Sequence, residues 1–138
     1  MTTALVAIVA ALALAAGAGW LLTRRAGDVR AVDGAHGDQV DPDDMGLSRN
    51  GPTVVHFSAP WCTPCERVRR VVSQVCGDLG DVAHIELDLD ANPVAARRLS
   101  VLSLPTTFIF DVDGRQRYRS AGVPKADDLR SALAPLLA

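Results

Sequence analysis

The run Ala4–Leu22 contains no charged or strongly polar side chain. At about 1.5 Å per residue it makes a helix of roughly 28 Å, which matches the ~30 Å hydrocarbon core of a bilayer. The chain therefore divides into an apolar anchor and a water-soluble remainder. Trp20 stands near one end of the run, where an indole favours the headgroup boundary, and Arg24 and Arg25 follow at once. A secretory signal carries its positive charge before the apolar stretch and a small-residue cleavage site after it. Met1-Thr2-Thr3 holds no Lys or Arg. The reading is a single-pass, uncleaved anchor over residues 4–22 in the cell membrane, with a cleaved signal as the competitor. The positive-inside rule puts Arg24, Arg25 and the soluble part on the cytoplasmic side, with an extracytoplasmic placement as the alternative.

An apolar share of 49% over 138 residues misleads when it is averaged along the whole chain. Without the anchor it falls to about 43%, ordinary for one soluble domain. A formal net charge of −2 leaves no basic field to attract nucleic acid. Three cysteines are too few for a disulfide-stapled scaffold. Residues 23–45 are rich in Gly and Asp, with Asp28, Asp33, Asp38, Asp41, Asp43 and Asp44 in the run. Such a segment buries little apolar surface and reads as a flexible acidic tether. Asp43–Leu47 reads as a short helical turn at the entrance to a folded domain spanning 46–138.

Within that domain, Thr53–Ser58 is β-branched and aromatic and follows Gly51-Pro52, so it reads as a buried strand. Val68, Val71, Val72, Val75 and Leu79 recur at helical spacing. Thr63, Pro64 and Glu66 look like the start of that helix, with Thr63 as cap and Glu66 completing a capping box, and Gly77 its end. Ile85, Leu87 and Leu89 alternate with acidic residues, as in a strand. Pro93–Leu99 reads as a short helix and Thr106–Val112 as a strand. Asp113-Gly114 marks a hairpin turn into an edge strand bearing Arg115, Arg117 and Arg119. Leu129, Leu133, Leu136 and Leu137 mark a closing helix. The order β-α-β-α-β-β-α implies an α/β fold, a mixed sheet with helices on both faces.

Cys62 and Cys65 form a C-x-x-C directly after a strand and at the head of a helix. Two intervening residues let the thiols close a small disulfide, and the partial positive charge of the helix N-terminus stabilises a thiolate there. The thiolate is the species that attacks disulfides. Cys62, at the mouth, is the expected attacking sulfur, and Cys65, one turn inward, the resolving one. Half of a zinc site is the competing structural reading, but Cys76, His36, His56 and His84 supply no second pair at ligand spacing. A copper relay through Cys62, Cys65 and a histidine stays open. Cys76, eleven residues after Cys65, falls on the apolar stripe and reads as a buried hydrophobe.

These residues carry a family resemblance. Ala59-Pro60-Trp61-Cys62-Thr63-Pro64-Cys65 resembles the W-C-G-P-C active site of thioredoxins, with Thr63 in place of the usual Gly. Asp90-Ala91-Asn92-Pro93 is similar to the D-x-N-P that follows a thioredoxin's central strand, and Ser103-Leu104-Pro105-Thr106-Thr107 to its cis-proline loop. Ala121-Gly122 is similar to the small pair before the last helix. The resemblance covers about residues 50–137 and implies a thioredoxin-like fold whose first strand and helix are shortened or missing. It implies a cis peptide before Pro105, substrate contacts from Trp61, Leu104, Pro105 and Gly122, and no cofactor beyond the Cys62–Cys65 disulfide. The partners it implies are disulfide-containing proteins and an upstream thiol or flavin-dependent reductase.

The chain also departs from the pattern. Thioredoxins place a buried Asp where this chain has His56, and a Lys where it has Glu86. We expect His56, held by Glu86, to take the proton of Cys65 when that thiol attacks the mixed disulfide, since imidazole titrates near ~6.5. The expected function is a membrane-tethered thiol–disulfide oxidoreductase of the protein-disulfide reductase type. The alternatives are an extracytoplasmic thiol-exchange protein, of the cytochrome c maturation or oxidative folding type, and a non-catalytic binding or metal-relay module.

Overall fold

The computed structural model describes residues 1–33 and 39–138 of the chain. Helix α1 (Thr2–Arg24) buries none of its residues. After it come β1 (Arg30–Ala31), α2 (Pro42–Met45), β2 (Thr53–Ser58), α3 (Thr63–Leu79), β3 (Ala83–Asp88), α4 (Pro93–Arg98), β4 (Thr106–Phe110), β5 (Gln116–Ala121) and α5 (Ala126–Leu133), the last continued by a 3-10 turn, Ala134–Leu136. The strands form one mixed sheet in the order β1-β5-β4-β2-β3. β2 and β3 run parallel and the other pairs antiparallel. This is a thioredoxin fold, and its first strand and first helix are reduced to two and four residues.

β2 lies inside the sheet and all six of its residues are buried, which explains why it lacks a polar face. Its side chains alternate between two cores. Val54 points toward α3 and α5, packing with Val68, Val72, Val75, Ile109, Leu129 and Leu133. Val55 and Phe57 point the other way, into a cluster with Leu99, Phe108 and Phe110. The Phe57 and Phe108 rings meet edge to face at 6.0 Å between centroids. His56 and Ser58, two and four residues beyond Val54, therefore belong to the α3 face.

The structure revises several local expectations. The segment read as a tether is partly built into the sheet. Arg30 and Ala31 pair with Arg119 and Tyr118, Gln39 bridges to Arg115, and Val40 is 1% exposed inside the second core. Asp33, Asp41, Asp43 and Asp44 are exposed, so composition alone signals solvent while the backbone supplies the pairing. β5 is consequently not an edge: β1 covers it. Its arginines also have partners, Arg117 on Asp111 and Arg119 on the carbonyls of Leu99 and Ser100. His36 and Asp38 lie outside the described residues.

The expected capping of α3 also shifts by one residue. Cys62 is the N-cap and makes no side-chain cap bond, while Thr63 and Pro64 lie inside the first turn. The helix passes Gly77 and stops at Gly80, whose φ of 83° suits a residue without Cβ. Gly27 shows the same need more strongly. Its φ is 93°, its N–H donates to Ala121 O, and a Cβ there would collide with Val123 O. Ser120 Oγ donates to Gly27 O at 3.0 Å. The chain leaving α1 is thereby fastened to the end of β5.

Candidate active site

The site is assembled where β2 ends. Ala59-Pro60-Trp61 turns the chain, closed by the Cys62 N–H on Ala59 O at 3.0 Å, and α3 begins at once. The turn puts Cys62 at the head of a helix of 17 residues, long enough to carry a full terminal dipole. Cys62 and Cys65 are joined as a disulfide, S–S 2.06 Å, Cα–Cα 5.4 Å. Both are buried, 7% and 2% exposed, and they pack with Ala59 and Leu104. Trp61 beside them is 69% exposed. The Cys65 sulfur lies 3.9 Å from Phe57 O, which places it over β2.

The opposite side of the mouth is the loop before β4. The Leu104–Pro105 peptide is cis. Thr106 Oγ1 donates to Ser103 O at 2.7 Å, and the Gly122 N–H donates to Pro105 O at 2.9 Å, so this loop is tied to the turn after β5. Ser103, Leu104 and Gly122 face Leu22, Arg25 and Asp28 across a groove of about 680 Å³. Leu104 thus packs on the disulfide, Trp61 adjoins it along the chain, and Gly122 is tied to Pro105.

Between α3 and strands β2 and β3, on the same side of the sheet as Cys65, lies a polar floor that no single stretch of sequence announces. His56 is fully buried. Its Nδ1 is 2.9 Å from His84 Nε2, and the two rings stack with centroids 4.9 Å apart. His84 Nδ1 in turn lies 3.4 Å from the exposed Ser73 Oγ. Glu86 stands opposite His56 in the β2–β3 register, its Oε1 3.7 Å from His56 Nε2. The carboxylate is committed elsewhere, accepting from Arg69 Nε at 2.7 Å, from Arg69 Nη2, and from Ser58 Oγ at 2.8 Å. The hydrogen bond that holds His56 comes from His84, not from Glu86, which corrects the expected pairing. His56 Nε2 has no hydrogen-bond partner, and neither has Thr107 Oγ1, which sits opposite His56 on β4.

The charges follow from this arrangement. The Arg69 guanidinium, with help from Ser58, holds the Glu86 carboxyl at about 2. Burial, and then the neighbouring His84, push His56 down to about 4; Glu86 opposes this and Arg69 adds to it. Burial also lowers His84. At neutral pH both imidazoles are uncharged and each carries one N–H. Cys76 is a free, buried thiol raised to about 11 by burial, consistent with a packing role. Among the described residues no three His, Cys, Asp or Glu side chains gather into a metal-holding group.

Sequence reasoning reached both cysteines, the cis-proline loop, His56 and Glu86. It left His84 and Arg69 without a role. Their signal was present: His84 and Glu86 share one face of an alternating strand, and Arg69 is one helical turn beyond Cys65.

Comparison with known proteins places the chain. The thioredoxin family model matches residues 43–135. A thioredoxin of Mycolicibacterium smegmatis is 40% identical over 88 residues, 62% of this chain and 76% of that protein. A thioredoxin of Mycobacterium tuberculosis is 39% identical over 77 residues, 55% and 66% of the two chains. Among solved structures, a mutant thioredoxin from Halobacterium salinarum superposes with a TM-score of 0.61 at 29% identity, covering 73% of this chain and 87% of that one. Chloroplastic thioredoxin z gives 0.60 at 27% identity, covering 72% and 92%.

Proposed function

The chain belongs to the thioredoxin family and is a thiol–disulfide oxidoreductase, and from that premise we propose that it acts as a membrane-tethered disulfide reductase. The observation that carries the reading is the Cys62–Cys65 pair at the head of α3, packed against the residue that precedes cis-Pro105.

In the proposed cycle the Cys62 thiolate attacks a substrate disulfide, expels one thiolate and leaves a mixed disulfide on Cys62. Cys65 gives its proton to His56 and attacks Cys62 Sγ. The Cys62–Cys65 bond forms, the bond to the substrate breaks, and the second substrate sulfur leaves as thiolate. Two electrons have passed to the substrate. An upstream thiol or flavin-dependent reductase returns the pair to dithiol. Trp61, Leu104, Pro105 and Gly122 bind the substrate chain. Pro105 has no N–H, so the Leu104 backbone is the natural partner for an extended peptide. Glu86, fixed as an anion by Arg69, faces His56 Nε2 at 3.7 Å, while His84 holds the ring.

Helix α1, long and apolar enough to cross a membrane and with no buried residue, supports the tether, with residues 4–22 as the span and 46–138 as the catalytic domain. Arg24 and Arg25 favour a cytoplasmic domain. Two measurements test the reading. Reduction of insulin disulfides with dithiothreitol as donor should be catalysed by the full chain and not by Cys62→Ser. A reporter active only outside the cytoplasm, fused after Ala138, should stay silent. Activity in the second assay moves the same chemistry to the outer side of the membrane, and inactivity in the first leaves only a binding module.

A further inference from the structure

We propose that His84 is the outer half of a two-imidazole relay that carries the Cys65 proton between His56 and solvent at the edge of the sheet. The inference rests on the proposed role of His56 and adds where the proton goes. β3 is the edge strand, His84 is half-buried on it, and Ser73 beyond is exposed. The contacts form one line: His56 Nε2 unpartnered under the first turn of α3, His56 Nδ1 on His84 Nε2, His84 Nδ1 toward Ser73 Oγ.

Proton bookkeeping explains why two rings are needed. In the dithiol state, His56 Nδ1–H donates to His84 Nε2, His84 Nδ1–H donates to Ser73, and His56 Nε2 is a bare acceptor. When Cys65 gives its proton to Nε2, directly or through one water, His56 passes Nδ1–H to His84, and His84 releases Nδ1–H at Ser73. The departing substrate thiolate is the eventual acceptor. The disulfide state then has His56 Nε2–H facing Glu86 Oε1, and His84 Nε2–H donating to His56 Nδ1. In the present disulfide-bonded structure His84 Nε2 lies 2.9 Å from His56 Nδ1, and His56 Nε2 faces the Glu86 carboxylate at 3.7 Å, without a hydrogen bond. Re-reduction runs the line inward and restores the first state, so neither ring has to turn.

The groups around His56 favour passage over storage. Glu86 on β3 attracts a proton, but Arg69 on α3 neutralises it and His84 repels a second charge; Ser58 and Thr107 add neutral hydroxyls. A lasting imidazolium is disfavoured, so one proton enters only as another leaves.

The test is single-turnover resolution of the mixed disulfide, followed by Trp61 fluorescence in the full chain. In His84→Gln the amide oxygen can still accept from His56 Nδ1–H but cannot pass a proton on. Resolution should slow about tenfold in dilute buffer, with a steeper pH dependence, and recover when imidazole is added. His84→Gln at wild-type speed with a slow His56→Gln overturns the relay and leaves the base in place. Both at wild-type speed overturn the proposed role of His56 as well. A second measurement needs no variant: ring-nitrogen NMR of the native protein should show His84 protonated on Nδ1 in the dithiol form and on Nε2 in the disulfide form. One tautomer in both forms overturns the relay.

Discussion

The mouth and the floor of the active site are built by different rules. The mouth consists of short local motifs: Trp61 to Cys65 on a strand-to-helix turn, and Leu104-Pro105 in a loop tied to Gly122. It follows the thioredoxin pattern closely, Thr63 apart. The floor is a lattice of side chains from α3, β2 and β3, and it departs from that pattern at both central positions, His56 and Glu86. In the proposed cycle the mouth meets the substrate, so its chemistry is constrained by disulfide exchange. The proposed task of the floor is to serve Cys65, and any set of groups that can take and return one proton will do so.

This contrast can be broken at either level. Cys62→Ser should have the largest effect, reducing disulfide reduction to background in the insulin assay, because it removes the attacking sulfur at the N-cap of α3. His56→Gln should leave formation of the mixed disulfide intact and slow its resolution about a hundredfold, seen as a covalent complex that persists by mass spectrometry. Equal slowing of both steps would erase the division between mouth and floor.

The floor should also make the fold acid-sensitive. His56 holds its proton less tightly in the folded chain, about 4, than at its ordinary 6.5. The unfolded chain therefore gains protons first, and stability that is whole above pH 6.5 falls as pH drops toward 4, by on the order of 3 kcal/mol. Thermal melts between about pH 7 and pH 4 should show the decline, and His56→Gln should flatten it. Glu86, held at about 2, loses its own contribution only below its ordinary 4.5, so the two windows overlap only near pH 4. The smallest change is Thr107→Val. Thr107 Oγ1 is buried without a partner, so removing it should leave stability unchanged or raise it by about 1 kcal/mol in denaturant unfolding.

The same division sets what the sequence could disclose. Cys62, Cys65 and Pro105 were legible because the meaning of each lies within a few neighbours along the chain. β2 and α3 were legible through their periodicity. β1 was not: its pairing to β5 is a backbone matter, hidden under a composition that reads as solvent. The His84–His56 bond was hidden for a related reason, since it depends on the register of two strands separated by the whole of α3. Gly77 and Gly80 offered two stops for one helix, and only the conformation distinguishes them.

Gly27 comes three residues after α1 ends and is bound to the last strand on both its N–H and its carbonyl. Such a joint leaves no slack. If α1 sits in a bilayer as proposed, the groove beside Leu104, one wall of which is Leu22 and Arg25, lies close to the lipid rather than at the end of a leash. Clients would then be sorted by altitude: a disulfide a few residues above the membrane comes within range, and one carried high on a large soluble domain does not.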